Sequence, residues 1–258
     1  GQTIRRVTVT LSPPSMDDQT DDWSRLQTAL RKQAGITQLQ ASLECMRKIG
    51  SVLREGDWKV TATLNAKTWD CPDCPARLLA LQPGHLSEDA PLWGAAIDIG
   101  TTTVSVWMVD LLTGEVKAQV AEYNQQISRG EDVISRIIVA DKEGGSEKMR
   151  DLVVDTINDL LVQSCKRLKA TPDEVVKATI AGNSTMMHLL LGIPAASIRL
   201  SPFVTAVNHI PTLDATDVGL AIHPQAIVDC LPGVASYVGA DISAGVLSSG
   251  MADSEDVV

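Results

Sequence analysis

The stretch "GAAIDIGTTTVSV", residues 94–106, decides the fold of the larger part of this chain. Apolar residues lead into Asp98, a glycine stands at position 100, and three threonines precede a second alternation of apolar and polar residues. Such alternation predicts two β-strands. A tight turn of glycine and hydroxyl residues between two strands points several backbone N–H groups in one direction and favours an anion. The stretch therefore predicts a phosphate-binding β-hairpin.

The carboxylate before the turn requires its own explanation, because it would repel a phosphate. Mg²⁺ held partly through water between the two groups accounts for Asp98. Gly100 lets the backbone approach the ligand closely. Further hydrogen-bond donors come from the hydroxyls of Thr101, Thr102 and Thr103. The prediction is a site for Mg²⁺ and phosphate, and the alternative is an ordinary β-turn after a chance aspartate.

Composition argues against several classes of partner. The chain has 258 residues, of which 44% are hydrophobic, and a formal net charge of −10 at pH 7. This acidic balance argues against nucleic acid, and 3% aromatic residues disfavour base stacking. The sequence shows neither a membrane-spanning run nor a signal-peptide pattern. With five cysteines and no secretion signal, we expect a cytoplasmic protein with reduced thiols.

Two regions follow from the pattern along the chain. Residues 1–91 predict a small α+β domain: a strand in "IRRVTVTL", helices over 23–34 and 39–54, and a hairpin of "WKVTATLNA" and "ARLLALQPG". Residues 92–258 predict three successive strands, two helices, a strand in "VVKATIAG", a helix over 183–191, a strand in "AIVDCLPG" and a final helix over 239–250. That order matches a ribonuclease-H-like α/β unit.

A second motif, "GADISAGVLSSG" at residues 239–250, lies at the predicted junction of a strand and a helix. Asp241 falls in the first helical turn, where helix capping alone also explains an aspartate. Together with the threonine hairpin, Asp241 fits a carboxylate that faces a nucleotide γ-phosphate and orients a water or a hydroxyl. Gly239, at the same junction, is a candidate for nucleotide contact.

The remaining polar candidates have two interpretations each. Asn183, directly after a predicted strand, is placed for a cleft edge and equally for a helix cap. Asn124, Asp132 and Arg136 either face the cleft or form a solvated helix start. His188 stands among methionines and leucines, which favours a core histidine.

Cys71 and Cys74 have the spacing of a metal knuckle. A zinc site needs further ligands, and His85 is the one candidate for a third. Two free thiols at a hairpin tip are the preferred interpretation, with a redox role left open.

Five segments of the second region resemble, in their order, the reductive activators of corrinoid proteins, a family within the superfamily of acetate and sugar kinases, chaperone ATPases and actin. The segments are "DIGTTT", "YNQQISRGEDVISRI", "IAGNSTMMHLLLG", "SPFV" and "LPGVASYVGADISAGVL". The segment "VTLSPPSMDDQTDDWSRL" resembles the linker and middle domains of the same activators. The resemblance implies an actin-like ATPase domain of which residues 92–258 form the first ribonuclease-H-like half.

The resemblance also implies function. Family members couple ATP hydrolysis, with Mg²⁺, to the reduction of Co(II) to Co(I) in the corrinoid protein of a methyltransferase or O-demethylase system. A corrinoid protein is the implied partner, the electron donor is unidentified, and a homodimer is left open. Asp98 and Asp241 are then the candidate catalytic residues. The candidate nucleotide contacts are Gly100, Thr101, Thr102, Thr103, Asn183 and Gly239.

The sequence departs from the family in two respects. It lacks the ferredoxin-like [2Fe–2S] domain with which members begin, and no four-cysteine cluster pattern occurs in it. It also lacks the second half of the ATPase domain. We therefore expect a part of a longer activator that does not turn over ATP alone. A small-molecule kinase of the same superfamily and a docking module without catalysis are the alternatives.

Overall fold

The computed structural model describes residues 3–66 and 74–233. Contacts divide the chain into two compact units, Gly1–Leu92 and Trp93–Val258. Within the described residues, no helix is long and apolar enough to cross a membrane.

The first unit is a four-stranded sheet with two helices. Its elements are β1 (Ile4–Thr10), α1 (Asp22–Ala34), β2 (Leu39–Ala41), α2 (Leu43–Glu55), β3 (Lys59–Asn65) and β4 (Ala76–Pro83). The strand order is β1-β3-β4-β2, with β1 and β4 antiparallel to β3 and with β2 parallel to β4. Leucines of both helices, such as Leu26, Leu30 and Leu53, are fully buried with the apolar face of the sheet.

The predicted start of the second helix at residue 39 is wrong. Leu39–Ala41 forms β2, which pairs with the start of β4, and α2 begins only at Leu43. Ser42 has extended backbone angles, and its side chain accepts a hydrogen bond from the backbone N–H of Cys45 at 3.2 Å. The capping serine ends the strand and starts the helix.

A buried arginine fixes the polar loop between β1 and α1. Arg25 is 7% exposed and donates hydrogen bonds to the backbone carbonyls of Ser12, Asp18 and Thr20. Its guanidinium also pairs with the Asp18 carboxylate at 2.8 Å. This hydrogen-bonded ion pair holds the pKa of Asp18 well below its usual range. Arg25 thus makes an ordered loop out of a stretch rich in proline and aspartate.

In its described residues, 93–233, the second unit contains a six-stranded sheet. Its elements are β5 (Trp93–Ile99), β6 (Thr103–Asp110), β7 (Glu115–Tyr123), α3 (Val133–Ala140), α4 (Gly145–Leu168), β8 (Val175–Gly182), α5 (Ser184–Leu191), α6 (Ala196–Arg199), β9 (Leu213–Asp214), α7 (Ala215–Val218) and β10 (Ile227–Cys230). The strand order is β7-β6-β5-β8-β10-β9. The first three strands are antiparallel, whereas β8 is parallel to β5 and β10 is parallel to β8. This arrangement confirms the predicted ribonuclease-H-like fold.

The long helix α4 carries much of the core of this unit. Its buried face follows helical spacing and packs on β6 and β7. The apolar side chains on this face are Met149, Val153, Ile157, Leu160 and Leu161. Each fully buried side chain of this size stabilises the fold by roughly 1.5–3 kcal/mol. The packing fixes the sheet whose first hairpin contains the candidate site.

Candidate functional site

The predicted hairpin forms at the end of β5. Asp98 pairs with Ser105 and Ile99 pairs with Val104, so the turn lies between residues 99 and 103. The N–H of Gly100 donates to the carbonyl of Thr103 at 2.9 Å. A Cβ on Gly100 would lie 2.7 Å from that carbonyl oxygen, closer than real Cβ atoms approach. The turn therefore requires glycine because two backbone segments meet there.

Three carbonyls of the turn are held from behind by two buried residues, two of them by side chains and the third by a backbone N–H. Asn124 follows β7, and its Nδ2 donates to the carbonyl of Gly100 at 3.0 Å while its backbone N–H donates to Thr102 at 2.8 Å. The Nη2 of Arg136 in α3 donates to the carbonyl of Thr101 at 2.5 Å. Asn124 and Arg136 are both 0% exposed. The turn is thus fixed by residues distant in sequence.

These contacts determine where the N–H groups of the turn point. The one cis peptide bond in the described part of the chain is Ser201–Pro202, so the peptide units of the turn are trans. In a trans peptide the N–H points opposite to the C=O. The N–H groups of Thr101 and Thr102 therefore point away from Asn124 and Arg136. Neither has an acceptor among the residues that the structure describes, which leaves two donors for an anion.

Asp98 lies directly before this turn. It occupies β5 between Ser105 of β6 and Ala181 of β8, and it is half-buried, whereas its neighbours Ile97 and Ile99 are buried on the other face. In the described ranges, no three histidine, cysteine or acidic side chains group as a metal site. Mg²⁺ commonly uses one or two carboxylates, water and substrate phosphates. Asp98 and the turn are compatible with that donor set.

Asn183 lies beside the turn and also caps a helix. Its Oδ1 accepts from the backbone N–H of Met186 at 3.0 Å, at the start of α5. Its Nδ2 lies 3.5 Å from the Thr101 hydroxyl oxygen. The structure therefore brings Asp98, the threonine turn and Asn183 together at the ends of β5 and β8. Gly239 and Asp241 lie outside the described residues.

The interpretation of Arg136 and Asn124 as cleft-facing or solvated residues is wrong, because both are buried behind the turn. Asp132 does start α3 as a cap, with its carboxylate accepting from the N–H of Ser135 at 2.7 Å. That hydrogen bond is the main reason that the pKa of Asp132 is lowered. The sequence pattern gave no signal for Gln126. Its Nε2 donates to the carbonyl of Met149 at 2.8 Å, and its Oε1 accepts a hydrogen bond from Nη1 of Arg136.

His188 is a core histidine, as predicted, and is 1% exposed. The backbone N–H of Ala206 donates to its Nε2 at 3.1 Å, and its Nδ1 lies 2.6 Å from the carbonyl of Ser184. These partners assign the proton to Nδ1 of a neutral ring. Burial lowers the pKa of His188.

The free-thiol prediction is wrong for Cys74, which is disulfide-bonded. The C-x-x-C spacing is compatible with thiols and with a disulfide, so the sequence could not decide between them. Cys71 lies outside the described residues. Cys45, Cys165 and Cys230 are free, and burial raises the pKa of Cys165 to about 11 and that of Cys230 to about 12.

Comparison with known families identifies the family to which the chain belongs. The model of the RACo middle region matches residues 93–254, and that of the RACo linker region matches residues 2–88. The chain belongs to the RACo family. These two RACo regions meet between residues 88 and 93, close to the boundary between the two compact units.

Two relatives agree with this assignment. The corrinoid activation enzyme RamQ of Eubacterium limosum is 33% identical over 172 residues, which are 66% of this chain and 29% of RamQ. The solved structure of a reductive activator for corrinoid, iron-sulfur protein is 38% identical, with a TM-score of 0.85, over 100% of this chain and 40% of that one. This RACo chain therefore spans less than half the length of either relative.

Proposed function

We propose that this chain is part of an ATP-dependent reductive activator that restores Co(I) in the corrinoid protein of a methyltransferase or O-demethylase system. Family membership supports the activity, and the relatives named for corrinoid activation support the partner. The observation that carries the assignment of ATP to this chain is the turn after Asp98, with its carbonyls held behind and two N–H groups directed outward.

Each residue has a proposed part in ATP hydrolysis. The N–H groups and hydroxyls of Thr101 and Thr102 bind phosphate oxygens, with Thr103, Asn183 and Gly239 as further contacts. Asp98 is the residue that would hold Mg²⁺ through water, and the metal, when bound, would supply neutralisation of the phosphate charge. Asp241 orients the water that attacks the γ-phosphorus, and the bond to the ADP oxygen breaks to give ADP and phosphate.

Reduction of the corrinoid is a separate event. A reduced [2Fe–2S] centre, which the family resemblance leads us to expect in the complete activator, would supply the single electron that takes Co(II) to Co(I), and the donor that reduces this centre stays unidentified. ATP hydrolysis contributes by changing the conformation of the complex. A corrinoid protein is the proposed partner of this activator.

The test is Asp98→Asn in the complete activator, which preserves shape and removes the charge. Affinity for MgATP and the rate of hydrolysis should both fall about 10- to 100-fold, as for outer-shell metal partners, and excess Mg²⁺ should recover part of the loss. Asp155→Asn is the control, because Asp155 is exposed on α4 and carries the same charge. Nucleotide titration, phosphate release and Co(I) absorbance are the measurements.

Unchanged affinity and turnover in Asp98→Asn would contradict the metal role. The same assays on Asp241→Asn separate binding from chemistry, since loss of a positioned base lowers turnover by roughly 10²–10⁴-fold while binding persists. Phosphate transfer from ATP to a sugar or an acid would instead indicate a kinase. Corrinoid binding without any hydrolysis by the wild type would indicate a docking module.

A further inference from the structure

Arg136 has an unusual environment for a charged residue. It is 0% exposed, and its guanidinium contacts four uncharged groups. Nε donates to the carbonyl of Gly130 at 2.9 Å, Nη1 to Oε1 of Gln126 at 3.2 Å, and Nη2 to the carbonyl of Thr101 at 2.5 Å. Nη1 also lies 3.4 Å from the sulfur of Met186.

The groups of the described residues that contact the Arg136 guanidinium are all uncharged. Within the described residues no carboxylate lies within ion-pair distance of the guanidinium, and Asp132, which caps the same helix, acts on it only at longer range. Burial lowers the pKa of Arg136, but an arginine stays protonated at neutral pH. A buried charge without a counter-ion is costly to maintain.

We propose that Arg136 is a positioning residue for the phosphate-binding turn, orienting the peptide between Thr101 and Thr102 and supplying positive potential behind it. This inference rests on the proposed function of the turn. The bound phosphate is then the charge that offsets the buried guanidinium. Arg136 itself has no contact with the ligand, because the peptide unit lies between them.

Two physical arguments support this role. A hydrogen bond from a charged donor is roughly twice as strong as one from a neutral donor, so Arg136 fixes the Thr101 carbonyl more firmly than an amide would. The interior also screens charge weakly compared with water, so the positive potential reaches the outward face of the turn. Both effects favour an anion at the N–H of Thr102.

The experiment compares three variants of the complete protein. Arg136→Met removes the charge and the fork of donors while it keeps apolar bulk. Arg136→Lys keeps the charge and loses the fork. Ile137→Ala is the stability control, because Ile137 is the next residue of α3, is also buried, and packs in a hydrophobic cluster with Ala195 and Ile198. The readouts are the Kd for MgATP by calorimetry and the temperature of unfolding.

Arg136→Met should weaken MgATP binding about 10- to 100-fold, as expected for a lost hydrogen bond to a charged group. Arg136→Lys should bind with intermediate affinity. Ile137→Ala should unfold at a lower temperature and bind MgATP like the wild type. Should Arg136→Met fail to fold, Arg136→Lys carries the test and must bind more weakly than Ile137→Ala.

Two results would overturn the inference. The first is wild-type affinity in Arg136→Met, or in Arg136→Lys where that variant carries the test. The second is an equal loss of affinity in Ile137→Ala, which would make the effect one of general destabilisation. A wild-type protein that binds no MgATP would instead refute the proposed function of the turn itself, and the inference with it.

Discussion

The two units of this chain each contain a buried arginine that holds a loop by its backbone carbonyls, and the two sites differ in charge. Arg25 in the first unit binds three carbonyls and is neutralised by Asp18 at 2.8 Å. Arg136 in the second unit binds two carbonyls and an amide, with no carboxylate in ion-pair distance among the described residues. The same side chain therefore serves two purposes.

The difference lies in what each loop has to do. The loop held by Arg25 needs only a fixed shape, so the carboxylate of Asp18, in the loop itself, can neutralise the charge of the arginine. The turn held by Arg136 is the one that we propose binds an anion, and a carboxylate paired with the guanidinium would cancel the positive potential behind that turn. On this proposal, the arginine paired with a carboxylate marks the structural loop, and the arginine without an ion pair among the described residues marks the proposed phosphate-binding turn.

The largest effect on stability is expected from Arg25→Met. Three carbonyls and the Asp18 carboxylate would lose their donor, which should lower the stability of the first unit by about 3 kcal/mol. Affinity for MgATP should not change, in contrast to Arg136→Met. Urea unfolding and hydrogen exchange over β1–β4 measure the first effect, and calorimetry measures the second.

The control is Arg31→Met, because Arg31 is exposed in the last turn of the same helix. This substitution should leave the free energy of unfolding of the first unit nearly unchanged. A loss of MgATP affinity in Arg25→Met, matching that of Arg136→Met, would show that the two arginines do not differ in purpose.

A second pair of variants compares two glycines at which an added Cβ would collide with a backbone carbonyl oxygen. A Cβ on Gly56 would lie 2.2 Å from the carbonyl oxygen of Lys59, and one on Gly100 would lie 2.7 Å from that of Thr103. Each alanine should cost about 2 kcal/mol through local displacement. Gly56→Ala should affect only the stability of the first unit, whereas Gly100→Ala should also weaken MgATP binding. Equal nucleotide affinity in the two variants would contradict the assignment of the turn.

The smallest expected effect is a pH dependence from His188. Its pKa is lowered in the folded state from 6.5 by burial, so both states are neutral above that value and the histidine has no influence there. Below it the unfolded chain binds the proton first, and stability falls as the pH drops through the folded pKa. Thermal unfolding between about pH 7.5 and 5.5 measures the decline. His188→Gln should remove it, and an unaltered decline in that variant would assign it to other groups.

The sequence predicted the features that depend on local pattern. Alternation around Gly100 located β5, the turn and β6, and helical spacing located α4, because each signal lies within one element. The sequence pattern wrongly predicts a helix at Leu39–Ala41, because three residues are too few to show a period and their strand exists only through pairing with β4. The short β9 and α7 were missed for the same reason.

The residues of the candidate site also differ in whether the local sequence could indicate them. Asp98, Gly100 and the threonines could be predicted because carboxylate, glycine and hydroxyls are adjacent in the chain. The burial of Arg136 could not, because a residue at a helix start resembles a solvated charge until its partners are known. Those partners include a carbonyl that is 35 positions away along the chain. Gln126 was missed because a single glutamine gives no pattern.

The contacts of the turn also determine when, during folding, the site comes into existence. Its two strands are neighbours in sequence and can pair early, but the contacts that orient the turn join residues separated by 24, 35 and 82 positions. Contacts of such separation form only after the intervening chain has been synthesised and packed. A nascent chain in which only the three antiparallel strands have left the ribosome therefore contains the hairpin but not the contacts that complete the proposed nucleotide site. We expect affinity for nucleotide to arise in a nascent chain only after α3, β8 and the start of α5 have folded.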